Sequence, residues 1–167
     1  MQLRRTRHLP AAFTLLELIL VLVIICTALA MAAPSLRGWS RGSQLRDTGD
    51  QFLTLARWAR ASATADAKIY RLNVDAAAGR YWVTVQQGDQ SFANVPSTFG
   101  RVYTMPEGLR IELTDLQGKP VDAVDFFPSG RSAPGRVRII GDGQTGAVAI
   151  ECPTPVDGYA YAAGQQS

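Results

Sequence analysis

Residues 8–35 read "HLPAAFTLLELILVLVIICTALAMAAPS", and the fold is decided by how this stretch is read. From Phe13 to Ala33 there are 21 residues, and Glu17 is the only charge among them. A helix rises about 1.5 Å per residue, so a run of this length matches a hydrocarbon core of about 30 Å. A secretory signal peptide starts with basic residues, continues with an apolar core of roughly 7–15 residues and ends at a small-residue cleavage site. Arg4, Arg5 and Arg7 supply the basic start, and Ala30, Ala32 and Ala33 supply a cleavage site. The uncharged run from Leu18 to Ala33 is nevertheless 16 residues, long for such a core. An ordinary anchor helix fits the length but leaves the acid unexplained. An ionisable group at membrane depth is costly and implies a function and a partner, and the segment contains no partner.

The stretch Ala12-Phe13-Thr14-Leu15-Leu16-Glu17, followed by its apolar run, resembles the amino-terminal signal of type IV pilins and type II secretion pseudopilins. The resemblance implies that a prepilin peptidase cuts between Ala12 and Phe13 and methylates the new amino terminus on Phe13. The apolar helix then stays on the protein, with Glu17 as its fifth residue and Pro34 where the family commonly has a proline. Ala12 stands where the family usually has Gly. It also implies a single-pass bacterial inner-membrane protein with its carboxyl-terminal part in the periplasm. The expected partners are the prepilin peptidase/methyltransferase, the inner membrane, and other major and minor pseudopilins.

Within that reading Glu17 has a physical role. A new amino terminus on Phe13 is a cation held near apolar surroundings, and Glu17 of a neighbouring subunit can pair with it when helices stack with an axial offset. A helix docked at the wrong height leaves both charges buried and unpaired, at high cost. Glu17 thereby registers assembly. A local alternative is that an acid in the first turn suits the positive end of the helix dipole.

Charge must be counted with the leader in mind. The chain has 17 Lys plus Arg against 14 Asp plus Glu, a formal +3 that, read alone, points toward nucleic acid. Removing residues 1–12 takes Arg4, Arg5 and Arg7 and no acid, so 14 basic side chains remain against 14 acidic ones. Nucleic acid is therefore not an expected partner. Arg37, Arg41 and Arg46 follow the apolar run closely, so arginine counts alone do not orient it. Cys26 and Cys152 are expected to be free thiols, since a bond between them would join membrane depth to the soluble part. Neither has metal-ligand spacing around it, and His8, the only histidine, lies in the leader. No metal and no cofactor are expected.

After the apolar run Pro34, Gly38 and Gly42 weaken the helix, since proline lacks a donor and each glycine costs about 1 kcal/mol relative to Ala. From Leu45 a stripe of Leu45, Phe52, Leu55, Ala56, Ala59 and Ala63 recurs at helical spacing to about Asp66. Beyond Lys68 the period becomes two. Tyr70 to Val74 and Tyr81 to Val85 read as a hairpin, and Leu109 to Leu113 and Val121 to Phe127 as strands. Val137 to Ile140 and Ala147 to Cys152 read as a second hairpin, with Tyr159 and Tyr161 in a last strand. The Gly-, Pro- and Ser-rich residues 87–100 read as a surface excursion. The expected fold is α+β. The expected divisions are a cleaved leader (1–12), a long amino-terminal helix (13–66, its part 13–33 transmembrane), and a periplasmic β-rich domain (67–167) packed on the second half of the helix.

One long helix followed by a β domain is the order of the pilin superfamily. Within it "FLTLARWARASATADAK", "IYRLNVD" and "DFFPSGRSAPGRVRI" resemble the GspH/FimT group. The implied function is that of a minor pseudopilin, a structural subunit of the periplasmic pseudopilus, at its tip, that helps drive export of folded proteins. The alternative is a FimT-like minor pilin of a type IV pilus with a role in DNA uptake. For that alternative Arg136 and Arg138, two apart in a strand and so on one face, are the candidate DNA contacts; solvated strand residues are the simpler reading. No enzyme is expected. Gly141-Asp142-Gly143-Gln144-Thr145-Gly146 fits G-x-G-x-x-G, but "AVAIEC" after it is a strand pattern, where a dinucleotide fold needs a helix. Asp122 and Asp125 fall on opposite faces of a strand, and no Ser-His or Cys-His pair survives loss of the leader.

Overall fold

The computed structural model describes residues 14–88, 91–143 and 146–163, with only the backbone described across 30–41. The helix α1 runs from Leu15 to Asp66 and is followed, among the described residues, by nine strands. These are β1 (Tyr70–Asp75), β2 (Arg80–Gln87), β3 (Ser91–Asn94), β4 (Tyr103–Thr104), β5 (Leu109–Thr114), β6 (Ala123–Phe126), β7 (Gly135–Gly141), β8 (Ala147–Cys152) and β9 (Ala160–Tyr161). The chain divides at Gly38 into two compact units, and the second carries every strand. The α+β expectation holds.

In the second unit the strands form two antiparallel sheets. One has the order β3-β2-β1-β6, with β4 also paired to β2; the other has the order β5-β7-β8-β9. Alternation sets their inner faces. Tyr70, Leu72 and Val74 on β1, Tyr81, Val83 and Val85 on β2, and Val124 and Phe126 on β6 are buried. So are Leu109, Ile111 and Leu113 on β5, Val137 and Ile139 on β7, and Ile150 and Cys152 on β8. All join the buried helical stripe Leu45, Phe52, Leu55, Ala56, Ala59 and Ala63 in one core.

Both sheets hold the second half of α1. Toward the first sheet, Phe52 meets Tyr81 with ring centroids 5.7 Å apart, Trp58 sits edge-on to Tyr70, and the Tyr81 hydroxyl donates to Gln51 Oε1 at 2.8 Å. Toward the second, the Tyr161 hydroxyl donates to Asp50 Oδ1 at 2.8 Å and its ring lies over Gly49. A Cβ on Gly49 would stand 2.8 Å from the Tyr161 oxygen and 3.4 Å from Val148 Cγ1, so the absence of a side chain there admits the second sheet. Thr48 and Leu53 are buried as well, so the covered face is wider than the stripe alone.

Residues 87–100 are not a plain excursion. They contain β3, paired to β2 from Thr84↔Asn94 to Gln87↔Ser91, and a 3-10 turn at Thr98–Gly100. Two aromatic contacts fasten them: the Phe92 ring lies 4.0 Å from the Arg71 guanidinium carbon, and Phe99 stacks on Trp58 at 4.7 Å. The strand β6 is shorter than the stretch from Val121 to Phe127: at one end the Val121 N–H donates to the Leu113 carbonyl of β5, and at the other the Phe127 N–H donates to the Arg131 carbonyl of the following loop. The short β4 is a further strand; Tyr103 stacks on Tyr81 and so fixes it.

Candidate functional site

At the start of α1, Thr14 Oγ1 accepts from the Glu17 N–H at 3.2 Å, and the Thr14 carbonyl accepts from the Leu18 N–H. This is the N-cap half of a capping box, Thr-x-x-Glu, which satisfies a donor that the first turn leaves open. It was readable in the sequence as the spacing Thr14…Glu17 before an apolar run. Glu17 is exposed, and no basic side chain among the described residues pairs with it. Ala12 and Phe13 lie outside the described residues.

Around and after Glu17 the helix is apolar on all sides. Leu15, Leu16 and every residue from Leu18 to Ile25 expose between 47% and 81% of their surface, as does Leu29. The one hydroxyl among residues 15–29, Thr27, turns back to the carbonyls of Val23 and Ile24, at 3.0 and 2.9 Å. Its hydrogen-bonding capacity is thus met within its own helix. A helix apolar all round needs surroundings other than water. Among the described residues no helix is long and apolar enough to cross a membrane; the described side chains of this run end at Leu29. Pro34, Gly38 and Gly42 lie within the span of α1, and a Cβ on Gly42 would meet nothing.

The other end of α1 is built with strain. Lys68 N–H reaches the Ala63 carbonyl at 3.3 Å, closing a Schellman turn in which Ala67 takes φ +52°. A side chain there occupies a conformation that suits glycine. One turn earlier, Arg60 extends from the helix across two loops. Its Nε donates to the Gly130 carbonyl at 2.7 Å and its Nη2 to the Val156 carbonyl at 2.6 Å. Gly158 leaves room for it, since a Cβ there would lie 2.7 Å from Nη1. In the sequence Arg60 stands off the apolar stripe as an ordinary solvated position, and its partners, 70 and 96 residues away, gave it no local signal.

Arg136 and Arg138 point to one exposed face of β7, each opposite an acid. Arg136 pairs with Glu151 at 3.1 Å, and Arg138 with Glu112 at 3.6 Å. Those partners sit directly across the ladder on β8 and β5. Arg131 is elsewhere, in the loop between β6 and β7. Asp125 is held by Arg71 through two bonds of 2.7 and 2.9 Å, while Asp122 is exposed. These carboxylates do not form an acid/base pair. The segment 141–146 joins β7 to β8 in an antiparallel hairpin and leads into no helix. Cys152 is a buried free thiol lying 3.1 and 3.3 Å from the carbonyls of Thr154 and Asp157. Burial first, and Asp157 second, push its pKa up, away from the reactive thiolate. Among the described residues no group of His, Cys, Asp and Glu is placed to hold a metal ion.

This architecture, a helix gripped by two antiparallel sheets, has a match in sequence. The family model for type II transport protein GspH matches residues 48–151, from the second half of α1 into β8. The chain belongs to the GspH family. No curated protein matches it closely enough to count. Among solved structures, the minor pseudopilin EpsH from the type 2 secretion system of Vibrio cholerae aligns with a TM-score of 0.63 at 14% identity, over 74% of this chain and 99% of that one. GspH of E. coli aligns at 0.54 and 14% identity, over 75% and 94%. The type IV minor pilin FimU of Pseudomonas aeruginosa aligns at 0.56 and 12% identity, over 72% and 89%. These likenesses show the shared fold. The GspH match begins at Thr48 and so leaves Glu17 and its apolar run outside it.

Proposed function

We propose that this chain is a minor pseudopilin of a type II protein secretion system, a structural subunit of the periplasmic pseudopilus that acts at its tip in the export of folded proteins. The family match over residues 48–151 carries this reading. The amino-terminal motif extends it: cleavage between Ala12 and Phe13, methylation of Phe13, and retention of the apolar helix in the inner membrane until the subunit enters the fibre. In this account residues 13–33 cross the membrane and residues 67–167 lie in the periplasm. The exposed apolar surface from Leu15 to Leu29 supports it, because bilayer and fibre core both offer such a surface the surroundings that water does not. Glu17 then sets helix height through the amino terminus of a neighbour, which accounts for an acid with no described partner in its own chain. Pro34, Gly38 and Gly42 let the helix adjust between membrane and fibre. The subunit contributes shape and contacts rather than catalysis.

The experiment is cross-linking in cells that assemble the pseudopilus, followed by purification of this chain. Recovery of other pseudopilins in stoichiometric amount is the expected result; recovery of type IV pilus subunits in their place overturns the assignment. The FimU likeness is the observation behind that second reading, a minor pilin handling DNA. The acids opposite Arg136 and Arg138 weigh against its DNA-handling part, since a phosphate would have to displace them.

A further inference from the structure

The loop between β6 and β7 and the segment after β8 enclose a groove of about 690 Å³. Phe127, Pro128, Arg131, Ser132, Ala133 and Pro155 line it. It lies where the chain passes from one sheet to the other, within the segment "DFFPSGRSAPGRVRI". Its walls are fixed in place. Arg60 ties Gly130 and Val156 to α1, the Ser132 N–H donates to the Pro155 carbonyl at 2.8 Å, and the Tyr159 hydroxyl donates to the Ala133 carbonyl at 3.0 Å. A groove built before its occupant arrives binds with less ordering cost.

Among the described residues, two polar groups of its lining residues lack partners, one open to it and one buried behind it. No acid among the described residues pairs with the exposed Arg131 guanidinium. The Ser132 side chain is 1% exposed, and its Oγ has no hydrogen-bond partner. A buried hydroxyl left in this state costs about 1–3 kcal/mol. Apart from Ser129, the remaining wall is apolar and rich in proline, with no N–H to offer at Pro128 or Pro155, so an occupant is not held by strand pairing. Val156, next to Pro155, is 72% exposed and extends the apolar surface.

We propose that this groove seats an extended apolar segment of a neighbouring subunit, whose carboxylate pairs with Arg131. The charge left open on Arg131 selects an acidic segment. The volume falls within the range of about 300–1,000 Å³ typical of ligand pockets and accommodates a few side chains. The proposal rests on the reading of the chain as a fibre subunit.

The test uses full-length protein in detergent micelles on an array of acetylated, amidated pentapeptides. Leu, Val, Phe, Ala and Pro are permuted at every position but the last, which is Asp, Asn or Lys. The wild type is expected to favour Asp over Asn by about threefold, the scale of an exposed ion pair, and to bind Lys least. Arg131→Glu inverts the order of Asp and Lys, and Ala133→Trp, which fills the groove, removes binding to all three. Absence of binding, equal binding of Asp, Asn and Lys, or an unchanged preference in Arg131→Glu overturns the proposal. So does unimpaired binding by a folded Ala133→Trp protein. Failure on the array while the chain still purifies with a pseudopilus removes this inference alone, whereas array binding without fibre partners removes the fibre reading and, with it, the neighbouring subunit as the occupant.

Discussion

Ala67 holds a backbone conformation that its side chain disfavours, at φ +52°, because the Schellman turn ending α1 needs a left-handed residue there. Glycine removes that strain of about 1–2 kcal/mol, offset in part by its greater freedom in the unfolded chain. In a fragment spanning residues 44–167, Ala67→Gly is expected to raise stability by about 0.5–1 kcal/mol, read as a higher urea midpoint with an unchanged slope. An equal or lower midpoint contradicts the strain argument. Glu17 is a different kind of residue, one whose proposed role belongs to the assembly. Glu17→Ala is expected to leave membrane insertion and cleavage intact and to reduce recovery of the chain with its partner subunits, because a neighbour's amino terminus loses its counter-charge. Undiminished co-purification of the variant removes the registration role. Glu17 drew attention in the sequence as a lone acid in an apolar run. Ala67 and Gly49 drew none, since their importance comes from a turn and from a ring approaching across the fold.

The elements show why some of the fold is legible and some is not. The stripe from Leu45 to Ala63 and the alternating strands announce themselves by period, and each buries the residues that its period selects. The strands β3 and β4, four and two residues long, carry no such alternation and depend on main-chain pairing with β2 and on single aromatic contacts. The neighbouring positions of β1 and β6, distant in sequence, also leave no local mark. Where α1 meets the sheets, tyrosines join them. Tyr70 bonds to Asp66, Tyr161 to Asp50 and Tyr81 to Gln51, and burial above all pushes each of their pKa values up to about 12. The unfolded chain ionises these groups near 10, so the folded state gains protons relative to it only above that pH. Their contribution to stability is therefore intact below pH 10 and lost as pH rises from 10 through 12. Alkaline titration of the 44–167 fragment, followed by far-UV circular dichroism, is expected to show unfolding in that window; a fold unchanged to pH 12 contradicts it. On β7, the paired arginines lead to the expectation that the same fragment gives no appreciable gel shift with duplex DNA at physiological salt. Salt-sensitive micromolar binding that disappears with Arg136→Ala and Arg138→Ala together reverses it and favours the DNA-handling pilin.

For the whole molecule, order along the chain was the legible feature: one long helix, then strands in hairpins, and the GspH family to which the chain belongs matches that order from Thr48 onward. The groove between Phe127 and Pro155 was not legible, because two separate loops make it and an arginine from the helix holds them. The central claim is that the apolar helix is a working part of the mature protein, freed at its amino terminus for assembly. Cleavage that keeps this helix leaves the 167-residue chain shorter by its 12-residue leader, a mature chain of 155 residues beginning at Phe13. The most direct measurement is the intact mass of the protein extracted from membranes. The account predicts the mass of residues 13–167 with one methyl group on the Phe13 amine; a mass retaining residues 1–12, or one corresponding to a cut near Ala33, contradicts it.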